Sequence, residues 1–497
     1  MPGKTRAVRQ AKHLARGQVV TNRSAVTALV TLALLNVFTL GAGVAVAGLL
    51  PDRLALWQVP RVASAGIKAP GPVLSPADSH GPLPSRKRLA ARLAPLLAAP
   101  PLGRHAGAVV TDLATGQVLF SQQAGSAFVP ASNAKLLTAV AALSALGPSA
   151  RFTTRVVAGA MPGSLTLVGG GDPTLAAGNP PRSDYPQPAT LASLAASAAR
   201  WLAAHHRRTV RLAYDTSLFT GPSLAPGWTP GYISTGNVTP ITSLQVDQGR
   251  LTRSGAPQDA DDPGNFRPRS ATPAADAVSA FARLLRRDGV HVAGRPAAGR
   301  QPRHAVPVAA VRSPAVSEIV AWMLRESNNV IAENLARQVA LHTGRPASFS
   351  GGAAAVTAVL ARLGVRHGVH LMDGSGLSPL DRVTPNALAA VVQLAATGGP
   401  AALRAAITGM PVAGFSGTLA PRQSVFGSFG PPALGRVQAK TGNLSNVASL
   451  SGITTDASGQ VLAFAFMADQ IPKGSLLKSA AGTIDAMATA LAGCGCR

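Results

Sequence analysis

Cysteine is confined to Cys494 and Cys496, within the last four residues. Two thiols at one end cannot build a disulfide framework, and no His/Cys cluster with metal-ligand spacing lies near them. A local disulfide and two free thiols at a frayed end are both left open. Glutamate is almost missing: only Glu318, Glu326 and Glu333 occur, all in one short window, so carboxylate bases are scarce. Lysine is nearly displaced by arginine. Eight of the 46 basic residues are lysine, and between Arg88 and Pro472 only Lys135 and Lys440 interrupt the arginines. Arginine stays charged at any working pH, whereas a lysine can be tuned to lose its proton. Aromatics make up only 4% of the chain, a bias that with abundant Ala, Gly, Pro and Arg points to a GC-rich genome rather than a special fold. Acidic charge is short as well. The net charge of +26 implies a partner of opposite sign: anionic wall polymer, anionic lipid or nucleic acid. Zinc-finger spacing, RNA-binding aromatic motifs and basic-region heptads are all missing, which argues against nucleic acid.

The 497 residues suit two or three domains. Residues 1–23 form a basic segment with six Lys and Arg and no acid, and residues 24–50 follow as 27 residues without a charge. That length spans a bilayer with some tilt, leaving the basic flank cytoplasmic and the remainder outside. Ala45-Val46-Ala47 resembles a signal-peptidase site, but the apolar run is too long for a usual signal peptide, so a retained single-pass anchor is expected. Residues 51–85, rich in Pro, Gly, Ala and Ser without a period, read as a linker. From Arg86 the pattern is globular: a short Ala/Leu helix over Leu89–Leu97, a hairpin over Ala106–Gln122, and a strand entering a Gly-rich turn over Leu165–Leu175. That turn lacks the G-K-[ST] ending of a phosphate cradle and reads as structural. Helices follow over Thr190–Ala204, from Ser313-Pro314 through Met323, and over Val330–His342. Strands at Arg436–Thr441, Ala448–Thr454 and Val461–Met467 and a terminal helix complete the chain.

Chemistry concentrates in three short motifs. In Ser132-Asn133-Ala134-Lys135 the serine sits at the mouth of an Ala/Leu-rich helix ended by Gly147-Pro148, with Lys135 one turn on and on the same face. A hydroxyl there feels the positive end of the helix and has an amine within reach of its proton. Ser327-Asn328-Asn329 occupies the joint between two helices. Lys440-Thr441-Gly442 ends a strand, with Asn443 just beyond, and offers a backbone edge for a peptide. A second S-x-x-K, Ser475 to Lys478, has no partner motifs after it and is a coincidence. The two isolated lysines both fall inside the motif set.

The set S-x-x-K, S-x-N and K-T-G resembles that of serine β-lactamases and penicillin-binding proteins. The chain from Arg86 onward is similar to the class C low-molecular-mass penicillin-binding proteins, the D-alanyl-D-alanine carboxypeptidases/endopeptidases. Further family-like stretches are Leu167–Leu175, Asp373–Ser378 and Pro411–Leu419. The resemblance implies an α/β (α+β) fold: a β-lactamase/penicillin-binding-protein-like transpeptidase domain, an antiparallel sheet with helices on both sides, over residues 86–151 and 304–497. The spacing of 195 positions from Ser132 to Ser327 leaves room for the family's inserted domain region, placed at 152–303, and the transmembrane helix precedes the whole. Asn328 replaces the common Asp, Asn443 the usual Thr, and Asn446 the usual Gly, changes that bear on substrate preference.

The implied reaction is acyl transfer through a serine ester on peptidoglycan stem peptides, releasing D-alanine or opening a D-alanyl cross-link, with β-lactams as covalent inhibitors. By resemblance Ser132 is the nucleophile, Lys135 the proton acceptor, and Ser327 the relay to the leaving amine. Asn329 holds the substrate amide, and the backbone N–H groups of Ser132 and Asn443 form the oxyanion hole. Lys440 and Thr441, with Gly442 beside them, bind the terminal carboxylate. No cofactor or metal is expected. The catalytic part lies on the wall side of a bacterial membrane. Three rivals are weaker. A Ser-His-Asp hydrolase lacks the G-x-S-x-G elbow, a β-lactamase would need a downstream glutamate and a shorter insert, and a silent wall-binding or β-lactam-sensing protein commonly loses one motif residue.

Overall fold

The structure is a computed structural model, and it describes residues 83–181, 185–251, 267–398, 401–421, 425–472 and 477–496. The basic segment, the apolar run at 24–50, nearly all of the linker at 51–85 and Ser475 lie outside the described residues. Among the described residues no single helix is long and apolar enough to cross a membrane.

Helix α1 (Arg86–Leu97) leads to the hairpin β1 (His105–Asp112) and β2 (Val118–Gln122). A tight turn over Ala131–Asn133 opens α2 (Ala134–Leu146), mostly apolar and buried from Ala134 to Leu143, which Gly147 ends at φ 85°. Strands β3 (Thr153–Ala158) and β4 (Ser164–Val168) follow, then α3 (Leu191–Ala204) and β5 (Thr209–Asp215). Between β5 and α4 (Pro273–Arg287) the described residues hold only short helical turns, at Gly231–Ser234 and Asp247–Gly249. The two-residue strands β6 (His291–Val292) and β7 (Ala297–Ala298) and the longer β8 (Pro307–Arg312) come next. Helices α5 (Val316–Arg325), α6 (Asn329–His342) and α7 (Phe349–Arg362) are followed by a small ribbon of β9 (Val369–His370) and β10 (Arg382–Val383). The chain finishes with α8 (Pro385–Gln393), strands β11 (Val437–Leu444), β12 (Val447–Thr455) and β13 (Val461–Asp469), and α9 (Leu477–Ala492).

Two sheets organise these elements. The first has the order β11-β12-β13-β1-β2 with every pairing antiparallel. Side chains alternate between its faces. Phe464 and Phe466 of β13 pack with Leu89 and Leu93 of α1 and Ile484 and Met487 of α9. Ala463, Ala465 and Met467 pack on the opposite side with Leu137 of α2, Ile319 of α5, Leu335 of α6 and Leu388 of α8. Helices thus flank the sheet on both faces, and burying each phenylalanine contributes roughly 1.5–3 kcal/mol. The second sheet runs β6-β5-β4-β3-β8, with β7 also on β5. It is mixed: β3 is antiparallel to β4 and β8, whereas β4, β6 and β7 lie parallel to β5. Parallel neighbours need crossovers, and α3 and α4 supply them; Leu194 and Phe281 close a core over Leu167 and Leu212.

Two local expectations need correction. The helix expected from Ser313-Pro314 begins at Val316, because the Ser313 hydroxyl accepts from the Phe152 N–H at 2.9 Å and donates to the Pro314 carbonyl. Glu318 instead caps α5 by accepting from the Ala315 N–H at 2.6 Å. Strand β8, beyond Arg303, completes the second sheet by pairing with β3. Lys440-Thr441-Gly442 does not end a strand: β11 continues to Leu444, held by β12 in the register Gly442 opposite Ser449.

Candidate active site

The mouth of α2 is pinned before any chemistry is considered. Ala131 takes the left-handed backbone region at φ 47°, a conformation non-glycine residues adopt only under constraint. The Asn133 amide donates to Ser449 Oγ at 2.6 Å, and that hydroxyl donates to the Pro130 carbonyl at 2.8 Å, tying the turn to β12. Gly442 fits beneath it because a Cβ there would lie 2.4 Å from Ser449 Oγ and 2.7 Å from the Pro130 carbonyl. Ser132 is half-buried at this turn, and Lys135 is fully buried one turn along.

Lys135 Nζ has three oxygen neighbours: Ser132 Oγ at 2.8 Å, Asn329 Oδ1 at 2.7 Å and the Ser375 carbonyl at 2.8 Å. Burial lowers its pKa from the ordinary 10.5 to about 7, against the opposing pull of Asp373, Glu333 and Asp381. A neutral amine has two hydrogens and one lone pair. The amide oxygen and the carbonyl can accept only, so they take the two hydrogens and the lone pair falls toward the serine hydroxyl. The arrangement can therefore remove a proton from Ser132 near neutral pH.

A second lysine stands across the cleft. Lys440 Nζ donates to Ser327 Oγ at 2.9 Å and to the Thr441 carbonyl at 2.8 Å, with Thr441 Oγ1 at 3.4 Å. Complete burial, then the nearby charge of Lys135, holds it well below the usual lysine range. Ser327 sits at φ 56°, again a constrained conformation, in the joint between α5 and α6. The structure thus joins Ser132, Lys135 and Asn329 in one contact set and Ser327, Lys440 and Thr441 in another. Gly442 and Asn443 follow on the edge strand β11, where Asn443 is exposed. The preceding part of that edge is covered by Pro411–Ala413, through Ala413 N–H to the Val437 carbonyl and Ala439 N–H to the Pro411 carbonyl.

Further contacts around the cleft hold motif residues and their neighbours in place. Asn329 donates to the Asn237 carbonyl at 2.9 Å while accepting from Lys135, so its amide is oriented from both sides. Asn328, the variable middle of its motif, caps α6 by accepting from the Ile331 N–H at 3.1 Å and donates to Gln248 Oε1 at 2.5 Å. Asp373 accepts from the Trp228 indole at 2.8 Å and from the Ser375, Gly376 and Ser378 N–H groups. Thr418 meets Thr441 hydroxyl to hydroxyl at 2.8 Å. One sequence signal points at part of this set: Glu333, one of only three glutamates, lies one turn beyond Asn329 on the same helical face. Among the described residues no cluster of three or more His, Cys, Asp or Glu side chains could hold a metal ion. Cys494 and Cys496, far along the chain, are joined in a disulfide.

Comparison with known proteins gives a consistent picture. The sequence model of the D-Ala-D-Ala carboxypeptidase 3 (S13) family matches residues 89–267 and 253–491. A carboxypeptidase of Mycobacterium tuberculosis is 39% identical over 453 residues, covering 87% of this chain and 91% of that protein. Carboxypeptidase DacB of Mycolicibacterium smegmatis is 38% identical over 430 residues, covering 86% of this chain and 88% of the other. Among solved structures, penicillin-binding protein 4 of Haemophilus influenzae superposes with a TM-score of 0.64 at 24% identity, over 81% of this chain and 98% of that one, a likeness of fold.

Proposed function

This chain belongs to the D-Ala-D-Ala carboxypeptidase 3 (S13) family, and on that premise we propose that Ser132 is its acyl-carrying nucleophile, with Lys135 as the base. The protein is a serine-type hydrolase of peptidoglycan stem peptides, a D,D-carboxypeptidase/endopeptidase of the penicillin-binding kind, and works outside the cytoplasm at the cell wall. The observation that carries the residue assignment is the position of Lys135 Nζ, between two obligate acceptors and the Ser132 hydroxyl.

In the proposed cycle a stem peptide lies along the edge of β11. Ser132 Oγ adds to the carbonyl carbon of the D-alanyl bond as its proton passes to Lys135 Nζ. The backbone N–H groups of Ser132 and Asn443 hold the developing oxyanion. The carbon–nitrogen bond then breaks, and Ser327, bonded to Lys440, passes a proton to the leaving amine. Lys440 and Thr441 bind the terminal carboxylate, Gly442 allows the close approach of β11 to the serine turn, and Asn329 orients the substrate amide. Water hydrolyses the ester. β-Lactams acylate the same serine. In this reading residues 86–151 and 304–497 make up the catalytic domain and residues 152–303 the insert, with β8, inside the catalytic stretch, pairing back onto β3 of the insert. The 27-residue apolar run, with its basic flank, serves as a retained single-pass anchor.

Ser132→Ala tests the assignment. The full-length wild type is expected to label covalently with a fluorescent penicillin, and the variant to lose the label entirely. Labelling that survives the substitution would move the nucleophile elsewhere. Mass spectrometry of peptidoglycan digested with the wild type then reads released D-alanine against opened cross-links.

A further inference from the structure

Glu333 is an expensive residue to bury. Its side chain is 1% exposed, and burial with the neighbouring Asp373 raises its carboxyl from 4.5 to about 7, against the pull of Arg337, Ser375 and the Gly374 N–H. A carboxylate buried there needs something to offset the cost of its desolvation. Its contacts show what does. Oε1 accepts from the Gly374 N–H at 3.1 Å and the Ser375 N–H at 2.8 Å, and Oε2 accepts from the Gly374 N–H at 3.0 Å. These are the two peptide groups immediately before the Ser375 carbonyl, one of the two acceptors that fix the Lys135 hydrogens.

The same short segment is clamped from other directions. Thr138, one turn beyond Lys135 on α2, donates to the Gly374 carbonyl at 2.6 Å. Gly374 lies so close to α6 that a Cβ would stand 2.6 Å from Ala336 Cβ, and Gly376, at φ 77°, would place one 1.8 Å from the Ala131 carbonyl. The carboxylate is itself held: Arg337 Nη1 lies 3.8 Å from Oε2, and its guanidinium sits 3.9 Å above the Phe349 ring. No reacting atom touches Glu333, so it is not a base for the ester.

We propose that Glu333 is the positioning residue of the general base. Its carboxylate orients the Gly374–Ser375 backbone so that the Ser375 carbonyl accepts from Lys135 and the amine lone pair is aimed at Ser132. It also contributes negative charge near Lys135, together with Asp373 and Asp381 of the following loop, while Lys440 on β11 opposes them and Arg337 on α6 offsets Glu333 itself. The inference rests on the Ser132–Lys135 assignment.

Glu333→Gln keeps the volume, removes the charge and replaces one acceptor oxygen with an NH2 that faces backbone donors. The readout is the rate constant for acylation of the full-length chain by fluorescent penicillin across pH, normalised to the number of sites that label at saturation. The alkaline plateau is expected to fall about tenfold, the effect of about 1.4 kcal/mol of lost orientation. The midpoint of the acid limb moves to lower pH, because less negative charge surrounds Lys135. Glu333→Asp retains the charge one methylene short: its plateau falls while its midpoint stays with the wild type. A residue that only stabilised the fold would reduce the number of labelled sites and leave rate and midpoint unchanged, and that result in either variant overturns the proposal. Failure of the underlying assignment shows separately, as wild-type labelling that persists in Ser132→Ala.

Discussion

The antiparallel sheet with its helices and the long loop leaving the second sheet both reach the cleft, but they bring different things to it. The serines, both lysines and the buried carboxylates Glu333 and Asp373 stand on α2, α6, β11 and the connections between them. The loop between β5 and α4 contributes an indole N–H from Trp228, a carbonyl from Asn237 and an amide from Gln248. Groups that must hold a proton within a few tenths of an ångström sit on elements fixed by a common core, whereas the loop supplies neutral partners that tolerate small displacements. Substitutions in the two regions should therefore differ in size and in kind.

The largest effect belongs to Lys135→Arg. Arginine keeps the charge and the donors, but it cannot become the neutral amine that a base requires. Acylation is expected to fall on the order of 10³-fold, within the range of a lost general base. In the wild type the acylation rate should rise with pH through a midpoint near 7, since in the proposed cycle Lys135 accepts the Ser132 proton only after losing its own. The same acid limb persisting in Lys135→Arg would assign it to another group.

That pairing was readable from sequence because it is local. Ser132 and Lys135 lie one helical turn apart, and a lysine kept within an arginine-only stretch is conspicuous. Strand β13 was readable from its continuous apolar run, Val461 to Met467, and β12 from the alternation of Ala448 and Leu450 with Ser449 and Ser451. The start of α5 was hidden because the Ser313 hydroxyl bonds to Phe152, 161 residues earlier, rather than to its own helix. The extension of β11 through Gly442 and Asn443 was hidden because both residues disfavour strands, and only the register against β12 holds them there. Glu333 was visible as a scarce residue, yet its partners are backbone N–H groups about 41 positions away, which no side-chain pattern encodes.

Trp228→Phe probes the loop's contact with the Asp373 segment. It removes the 2.8 Å indole bond and leaves Asp373 with its three backbone donors, while the aromatic packing against Phe349 is largely kept. A hydrogen bond to a buried carboxyl group is worth about 1.5–3 kcal/mol. Chemical denaturation should show a loss toward the lower end of that range. Acylation should slow by less than about tenfold, because Glu333 and Thr138 still hold the Ser375 carbonyl near Lys135. A collapse as deep as that of Lys135→Arg would place the loop among the groups that define the base and erase the contrast between the regions.

Gln248→Ala should do least. Its side chain meets Asn328 at 2.5 Å, but Asn328 keeps its cap on Ile331, and the Gln248 carbonyl still accepts from Arg269. The expected cost is about 1 kcal/mol of stability, an ordinary neutral hydrogen bond, with the acylation rate unchanged. Ser327 directly precedes Asn328 and is held at φ 56°, so the measurement also asks what keeps that residue in place. A wild-type rate means that the α6 cap and the bond to Lys440 suffice. A rate below that of Trp228→Phe would mean that the loop sets Ser327, the proposed relay, through its neighbour, giving the second region a share in the proposed proton path.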